Sequence, residues 1–262
     1  MNKTPAEFEI RALEDAADLR TCVALQHETW GSDFGEQVPP ALLKVVQKIG
    51  GVVAGAFDSG GSLVGFVFGL TGLRDGRPAH WSHMLAVRNE YRDRGLGRML
   101  KEYQKQRVLA IGVETMLWTF DPLVARNAHL NLNRLGVSIE DYVEDMYPGD
   151  ERGTLDAVIG TDRFVVRWNL VSPVQRTEVI PLPECSVNSA GHRPTDPDLT
   201  PRDTIHVEVP PDIHAVKREA PDLARAWRRT SRAAFRHFLA EGYVIQGFGR
   251  EADRCMYRLV RE

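Results

Sequence analysis

The stretch HMLAVRNEYRDRGLGRML, residues 83–100, constrains the fold more than any other part of the sequence. An apolar run typical of a strand leads into a basic, glycine-spaced loop, and an amphipathic helical pattern follows. Gly95 and Gly97 lack a Cβ atom, which favours positive φ and close approach of a ligand. The first N–H groups of the helix lack intrahelical partners, and together with the helix dipole they attract an anion. The pattern therefore predicts a phosphate-binding loop.

Arginines surround this loop. Arg92, Arg94 and Arg98 add positive charge and guanidinium donors that suit a pyrophosphate. A P-loop requires a Gly-Lys pair, which the sequence lacks, and the Rossmann pattern requires a third glycine where Leu100 stands. The two common nucleotide-binding motifs are therefore excluded.

Arg92-x-x-Gly95-x-Gly97 resembles the Gln/Arg-x-x-Gly-x-Gly/Ala signature of the GNAT superfamily of N-acetyltransferases, including the preceding strand that ends in Leu-Ala-Val. The resemblance implies that the loop binds the pyrophosphate of an acyl-coenzyme A (acyl-CoA). The co-substrate is then acetyl-CoA or another acyl-CoA such as succinyl-CoA, and no metal is required. The residues assigned to this co-substrate are Leu85, Ala86, Val87, Arg92, Asp93, Arg94, Gly95, Leu96, Gly97, Arg98 and Asn127.

Hydrophobic periodicity predicts alternating strands and helices through residue 171. The predicted strands are 8–13, 52–57, 63–70, 81–87, 115–120 and 163–170, and the predicted helices are 15–30, 39–49, 97–111 and 123–135. The side chains predicted to point inward are Leu42, Val45, Val46 and Ile49 of the second helix and Leu96, Met99, Leu100 and Tyr103 of the third. This order matches the family core, which implies an α/β fold with a mixed, mostly antiparallel central sheet flanked by helices.

Residues 172–262 are predicted to form a linker and a smaller C-terminal α/β extension, which gives domains of residues 1–171 and 172–262. Residues 172–203 are rich in turn-forming types, and strands at 205–209, 243–248 and 255–260 accompany a helix at 221–241. Arginines on this helix could bind the carboxylate of a substrate or acyl group, or form an ordinary solvated face. They are Arg225, Arg228, Arg229, Arg232 and Arg236.

The expected chemistry is attack of a neutral amine on a thioester. The resemblance assigns polarisation of the carbonyl to the backbone N–H groups of Leu85 and Val87. Preorganised donors of this kind lower the activation barrier by on the order of 3 kcal/mol each. His83 precedes Leu85 by two residues, so strand alternation predicts a shared face. Its imidazole titrates near neutral pH and suits a general base. The alternative is a histidine that is hydrogen-bonded in the core or on the sheet surface.

Two further positions have alternative roles. Asp121 is a second candidate base, although an aspartate before proline is more often a turn residue. Asn127 matches a family asparagine near the pantetheine arm, or it is a simple helix-start residue.

The residue at the position expected for the general acid departs from the family pattern. Many members carry a tyrosine on the helix after the second core strand, whereas the run RNAHLNLNRLG has Leu132 at that position. Tyr142 or Tyr147 could replace it, or the thiolate could leave unprotonated because thiols are acidic.

Composition limits the partners and the compartment. A formal charge of −3 and a pI near 6.3 argue against a nucleic-acid partner. Cys22, Cys185 and Cys255 fit free thiols in a reducing cytosol better than a disulfide framework or a zinc site. The sequence has neither an apolar signal region nor a run of ~18 apolar residues. These features predict a cytoplasmic protein with no membrane partner, and a homodimer is left open.

Three functions follow from the resemblance. The first is an N-acetyltransferase that acts on a small amine or amino acid. The second is an N-succinyltransferase acting on amino acids, since DRFVVRW and the C-terminal extension are similar to a bacterial branch partly linked to N-succinyl amino-acid metabolism. The third is a catalytically silent CoA-binding sensor, which Leu132 supports and His83 opposes.

Overall fold

The computed structural model describes residues 7–32, 34–147, 159–172, 181–184, 186–251 and 253–261. The chain divides into two compact units, one of residues 1–118 and 169–172 and the other of residues 119–168 and 173–262. This division by packing falls at Trp118, within a strand. The boundary predicted after residue 171 rests on the family pattern and stays a prediction.

The first unit is built on a mixed sheet in which sequential strands are neighbours, in the order β1-β2-β3-β4-β5. The first three pairings are antiparallel and β4–β5 is parallel. The strands are β1 (Phe8–Ala12), β2 (Val52–Asp58), β3 (Leu63–Arg74), β4 (Arg77–Val87) and β5 (Thr115–Phe120). The predicted fold class, a mostly antiparallel sheet flanked by helices, is confirmed.

Three helices accompany this sheet: α1 (Ala16–Trp30), α2 (Pro40–Lys48) and α3 (Leu96–Leu109). The Asp15 side chain caps α1 by accepting the Asp18 N–H at 2.7 Å. Helices α1 and α2 share a buried cluster with Phe68, Met84 and Ala86. In α3, Leu100 lies with Val87 beside Gly65. Because Val87 alternates with Ala86, α3 covers the opposite face of the sheet.

The predicted inward face of α2 is partly wrong. Leu43 and Val46 are buried, whereas the other three side chains predicted inward, Leu42, Val45 and Ile49, are exposed. The inward face includes Gln47, whose side-chain amide donates to the Leu13 carbonyl at 2.9 Å.

Helix α3 shows the same kind of difference. Leu96 and Leu100 are buried as predicted, but Met99 is exposed. Lys101 and Gln104 are buried instead, and both donate hydrogen bonds inside the unit. The inward side of α3 therefore carries polar groups beneath the sheet.

The second unit contains an antiparallel pair, β6 (Ser138–Val143) with β7 (Arg163–Asn169), and a three-stranded antiparallel sheet in the order β10-β12-β11. Its remaining strands are β8 (Ser189–Ala190), β9 (Arg193–Pro194), β10 (Thr204–Val209), β11 (Tyr243–Glu251) and β12 (Arg254–Arg261). Its helices are α4 (Ala125–Ala128), which continues as a π-helical stretch (His129–Leu135), α5 (Ile213–Glu219) and α6 (Pro221–Ala240). Strand β6 and helix α5 were not predicted, and the short β8–β9 hairpin lies in the predicted loop.

Aromatic packing forms the core of the second unit. The Phe235 ring lies 4.9 Å from the Phe164 ring and 5.2 Å from the Tyr257 ring, all in edge-to-face geometry. Cys255 is a buried free thiol of this unit, as Cys22 is of the first, and Cys185 lies outside the described residues. No helix in the described part of the chain is long and apolar enough to cross a membrane.

Candidate active site

The predicted phosphate-binding loop joins β4 to α3. Asp93 and Gly95 both have left-handed backbone conformations, with φ of 61° and 81°, while Arg94 between them does not. Such alternation turns successive N–H groups toward one side and forms an anion-binding concavity. Gly97 lies in the first turn of α3 and has no positive φ. Its predicted positive φ is therefore wrong, and the left-handed position belongs to Gly95 alone of the two glycines.

The N-terminus of α3 presents unpaired donors. No side chain caps the helix, and Met99 is the first residue whose N–H finds a backbone acceptor, the Gly95 carbonyl at 3.1 Å. The N–H groups of Leu96, Gly97 and Arg98 have no acceptor among the described residues. These three donors and the dipole of a 14-residue helix fit an anion.

The three loop arginines differ in their surroundings. Arg92 donates from Nε to the Val87 carbonyl at 3.1 Å and so ties the loop to the end of β4. Arg94 forms an exposed ion pair with Glu7, which contributes little to stability. Arg98 is exposed and forms no ion pair with any described residue. Its guanidinium is therefore accessible to a bound phosphate.

Replacing Gly95 by valine is expected to weaken acetyl-CoA binding about tenfold. A Cβ at this position meets open space, so the effect comes from φ alone. A left-handed conformation costs a residue with a Cβ roughly 1–2 kcal/mol, and a β-branched residue resists it most. If the loop relaxes, its N–H groups turn away from the ligand. Isothermal titration calorimetry of the variant measures the loss of affinity.

Gly61→Val is the matched control. Gly61 also has a left-handed φ, 77°, and open space at the Cβ position, but it lies in the β2–β3 turn. Both variants should lose comparable stability, and only Gly95→Val should lose affinity. Equal affinity of the two variants for acetyl-CoA would contradict the assignment of the loop.

Strands β4 and β5 separate near the middle of β4. They pair only at His80–Met116 and Trp81–Leu117, although β4 continues to Val87. No described strand pairs with residues 82–87 on this side. The separation leaves an open edge of β4, defined here as residues 82–87, that leads directly to the phosphate-binding loop.

The backbone donors assigned to the thioester face this open edge. The Arg88 N–H donates to a β3 carbonyl at 2.9 Å, and the β3–β4 register runs unbroken from there back to Met84. Because alternate residues of an antiparallel pair bond in the same direction, Ala86 also faces β3. The N–H groups of Leu85 and Val87 therefore point to the open edge, where an oxygen of a ligand can accept them.

His83 is the extra residue of a β-bulge. Phe68 of β3 pairs with Met84, and the next residue, Gly69, pairs with Ser82, so His83 has no partner on β3. Bulges of this kind redirect a side chain and occur often beside active sites.

The bulge places the His83 side chain on the face of the sheet that α1 and α2 cover. Its ring contacts the Phe68 ring edge-on at 5.9 Å, and Phe68 shares its face with its partner Met84. The prediction that His83 shares a face with Leu85 is therefore wrong, because the bulge breaks the alternation.

The imidazole of His83 is accessible to solvent, yet protein atoms lie close around it. This partial burial lowers the pKa of His83 below its ordinary value, and the negative charge of Glu36 opposes the shift without cancelling it. His83 is therefore neutral at pH 7 and can accept a proton.

Asp121 and Asn127 lie in the second unit. One Asp121 carboxylate oxygen accepts the Leu123 N–H at 2.8 Å, and the other accepts Nη2 of Arg228 at 2.6 Å. This arrangement favours the turn role of Asp121 over that of a base. Asn127 lies within the short helix α4, half-buried, and its predicted contact with the pantetheine arm stays a prediction.

Leu132, the residue assigned to the position of the family tyrosine, is buried. Tyr142, one possible replacement, donates to the buried carboxylate of Asp162, and burial together with that negative charge raises its pKa. The hydroxyl oxygen of Tyr147 lies 3.0 Å from the hydroxyl oxygen of Thr119. The hydroxyl of each tyrosine therefore has a structural hydrogen-bond partner.

The arginines of α6 all have carboxylate partners. The pairs are Arg225–Asp222, Arg228–Asp121, Arg229–Asp196, Arg232–Asp162 and Arg236–Glu144. Arg228 is buried, so the simple solvated face does not describe it. These contacts favour an ion-paired network over the predicted alternative of a carboxylate-binding site.

Comparison with known proteins agrees with the site. Residues 20–134 match the Acetyltransferase (GNAT) family. No curated protein matches the sequence significantly. In the described part of the chain, no group of three or more His, Cys, Asp or Glu residues could hold a metal ion.

Solved structures are similar to this chain at low sequence identity. The chain in the NatC complex bound to Gag peptide and CoA is 13% identical, with a TM-score of 0.50 over 63% of this chain and 99% of that chain. A GNAT-family acetyltransferase from Streptococcus pneumoniae is 20% identical, with a TM-score of 0.49 over 62% and 98%. A phosphinothricin acetyltransferase from Sinorhizobium meliloti, in complex with acetyl-CoA, is 16% identical, with a TM-score of 0.48 over 62% and 88%.

The matched segment contains the loop, the bulge and the open edge of β4. Residues 20–134 are therefore similar to a GNAT acetyltransferase domain.

Proposed function

We propose that this protein transfers an acetyl group from acetyl-CoA to the primary amine of a small molecule or amino acid. The observation that carries the proposal is the continuity of the open β4 edge with the unpaired N-terminus of α3. Residues 82–98 thus offer in one stretch both backbone donors for a carbonyl and donors for a phosphate.

The loop residues have the chemistry that holds a pyrophosphate. The N–H groups of Leu96, Gly97 and Arg98 and the Arg98 guanidinium supply donors and positive charge. Acetyl-CoA supplies the activated acyl group as co-substrate. Leu85 or Val87 donates its N–H to the thioester oxygen, and this hydrogen bond strengthens as negative charge develops during attack.

His83 takes the proton from the acceptor amine. Its lowered pKa keeps the imidazole unprotonated at pH 7, so the base is ready before the amine binds. Glu36, whose charge acts on His83, also favours a cationic ammonium near the ring. Proton removal then yields the neutral amine that attacks the thioester.

The donor is acetyl-CoA rather than succinyl-CoA because a succinyl group carries a free carboxylate that needs a cation. The arginines of α6 that were candidates for this role already pair with aspartates and glutamates of the second unit. Displacing a partner from buried Arg228 would leave a carboxylate unpaired, which is costly.

The test is release of free thiol from acetyl-CoA or succinyl-CoA in the presence of a panel of small amines and amino acids. We expect release with acetyl-CoA and at least one amine, and little release with succinyl-CoA. Preference for succinyl-CoA would overturn the choice of donor. Tight binding of acetyl-CoA without release for any acceptor would favour the sensor.

A further inference from the structure

The position of His83 determines the side from which the acceptor arrives. Its ring lies on the face of the sheet that α1 and α2 cover, where it contacts Phe68. The amine nitrogen must reach both His83 and the thioester carbon, so it lies between the open edge of β4 and this face. The rest of the acceptor therefore lies over the same face, and the side chains exposed there select it.

Aromatic rings follow this face from the end of α1 to His83. The Trp30 ring packs edge-on against Phe66, with the ring centroids 6.0 Å apart, and His83 contacts Phe68 in the same geometry at 5.9 Å. Phe66 and Phe68 are alternate residues of β3 and belong to the same buried cluster, so they share the face. Trp30 and His83 therefore lie over neighbouring levels of one strand.

Phe34 extends this row of rings outward. Its ring stacks on Trp30 with the centroids 5.3 Å apart and 24° between the ring planes. Both rings are half-buried, whereas Phe66 and Phe68 are fully buried. Trp30 and Phe34, called here the aromatic pair, thus present apolar surface to solvent. Another ring packs well on such a surface, either stacked or edge-on.

The connection between α1 and α2 is held in place by a buried side chain. Gln26 of α1 is 0% exposed, and its amide oxygen accepts the Val38 N–H at 2.8 Å while its amide nitrogen donates to the Val38 carbonyl at 3.2 Å. Phe34 and Glu36 both lie in this connection, and Glu36 is exposed with its charge acting on His83. The connection therefore carries a ring and a carboxylate in fixed positions.

The cation at the loop end of β4 already has a partner. Arg88 continues the alternation of the strand from Ala86, which puts its side chain on the α1 side. There its Nη2 atom lies 3.2 Å from a carboxylate oxygen of Glu28. A substrate carboxylate on this face would compete with Glu28 and would be repelled by Glu36. An amine without a carboxylate avoids both costs.

We propose that the acceptor is a primary amine joined by a short chain to a flat apolar ring, with no carboxylate. This inference rests on the proposed function and narrows its acceptor. The ring packs on the aromatic pair, and the ammonium lies between Glu36 and His83, which takes one proton. The nitrogen bonds to the thioester carbon, and the C–S bond breaks with its electron pair on sulfur. The second nitrogen proton goes through water to the thiolate.

The spacing fits an amine two carbons away from its ring. Two residues of a strand rise ~7 Å, which separates the level of Phe66 from that of Phe68 and His83. A 2-arylethylamine measures ~5 Å from ring centre to nitrogen, and a hydrogen bond to His83 adds ~3 Å. Leu85, a donor for the thioester oxygen, lies between the β4 partners of Phe66 and Phe68. A ring on the aromatic pair therefore leaves its nitrogen near both His83 and the thioester.

The test compares kcat/KM of acetyl transfer to three amines, measured by thiol release and expressed per neutral amine. 2-Phenylethylamine has only the ring and the amine, n-butylamine lacks the ring, and phenylalanine adds a carboxylate. We expect 2-phenylethylamine to exceed each of the others about tenfold or more, the usual effect of burying one apolar group. A preference below threefold over either amine overturns the inference.

Phe34→Leu tests the aromatic pair directly, because leucine keeps an apolar side chain and loses the flat ring. It should lower kcat/KM for 2-phenylethylamine about fivefold and leave that for n-butylamine and the KM of acetyl-CoA unchanged. Tyr103→Leu is the matched control, since it removes a half-buried ring from α3 on the opposite face of the sheet. It should leave the ratio between the two amines as in the wild type.

The outcomes separate the acceptor class from the proposed function. An equal loss for 2-phenylethylamine and n-butylamine in Phe34→Leu overturns the inference, and if that variant does not fold, the wild-type ratios decide. If the wild type releases no thiol from acetyl-CoA with any amine, the proposed function fails. If it acetylates n-butylamine or an amino acid but not 2-phenylethylamine, only the acceptor class fails.

Discussion

Replacing His83 by glutamine is expected to lower kcat/KM about 100-fold or more, which is the usual contribution of a positioned general base. Glutamine keeps a polar side chain on the bulge but cannot accept the amine proton. In the wild type, activity should rise with pH through the pKa of His83, which lies below the ordinary 6.5 because the ring is partly buried. The variant should lose this acidic limb, as a pH profile of kcat/KM will show.

Glu36→Gln gives the sharper control. The Glu36 charge raises the pKa of His83 against the effect of burial, so its removal should move the acidic limb to lower pH. Activity at neutral pH should change much less than in His83→Gln, since His83 stays neutral there. An acidic limb that is unchanged in both variants would assign it to another group and remove His83 as the base.

The phosphate-binding loop could be predicted because its information is local. Gly95 has the left-handed conformation that its residue type favours, and the donors of Leu96 to Arg98 follow from the start of any helix. The directions of the Leu85 and Val87 N–H groups follow from strand alternation once the strand is placed. The loop and the start of the helix need only the sequence between residues 83 and 100, whereas the edge that the Leu85 and Val87 N–H groups face also depends on the pairing with β3.

The position of His83 could not be predicted in the same way. A β-bulge adds one residue to one strand, and the identity of that residue leaves no mark on the hydrophobic pattern. It depends on where Phe68 and Gly69 meet β4, which is a property of the pairing. One unpaired residue was enough to move the predicted base to the other face of the sheet.

Polar residues inside the protein were missed for a related reason. Lys101 and Gln104 lie at helical spacing with the buried Val108, but periodicity counts lysine and glutamine as outward-facing. Their burial depends on Ser82 and His80, roughly twenty residues earlier in the chain. The spacing was therefore a usable signal, and the residue types concealed it.

The arginines of α6 illustrate a third limit. Their partners come from distant segments, since Asp121 and Asp162 precede Arg228 and Arg232 by 107 and 70 residues. A sequence pattern shows the charges on the helix but not the carboxylates that meet them. The arginines that pointed to a ligand site instead form an ion-pair network inside the second unit. The contribution of this network to stability can be measured.

Asp162→Asn is expected to destabilise the protein by about 3–5 kcal/mol, the usual cost of removing one partner from a buried ion pair. The Asp162 carboxylate is fully buried and accepts Nε of Arg232 at 2.9 Å and the hydroxyl of Tyr142. An asparagine leaves the buried charge of Arg228, 3.9 Å away, with less compensation. Urea denaturation at pH 7 measures the loss.

The pH dependence and a surface control separate this network from ion pairs in general. Burial raises the pKa of Asp162, but Arg232, Tyr142 and Arg228 outweigh it and hold the pKa below its ordinary value. The stabilisation is therefore complete above the unfolded pKa near 4 and is lost as pH falls through the lower folded pKa. The difference in stability between wild type and Asp162→Asn should shrink below about pH 4.

Asp222→Asn removes an exposed pair with Arg225 on the same helix and should cause no measurable change in stability. Equal losses of stability from the two substitutions at pH 7 would show that burial does not make the Asp162 network more stabilising than an exposed ion pair. The arginines of α6 would then again be candidates for a ligand.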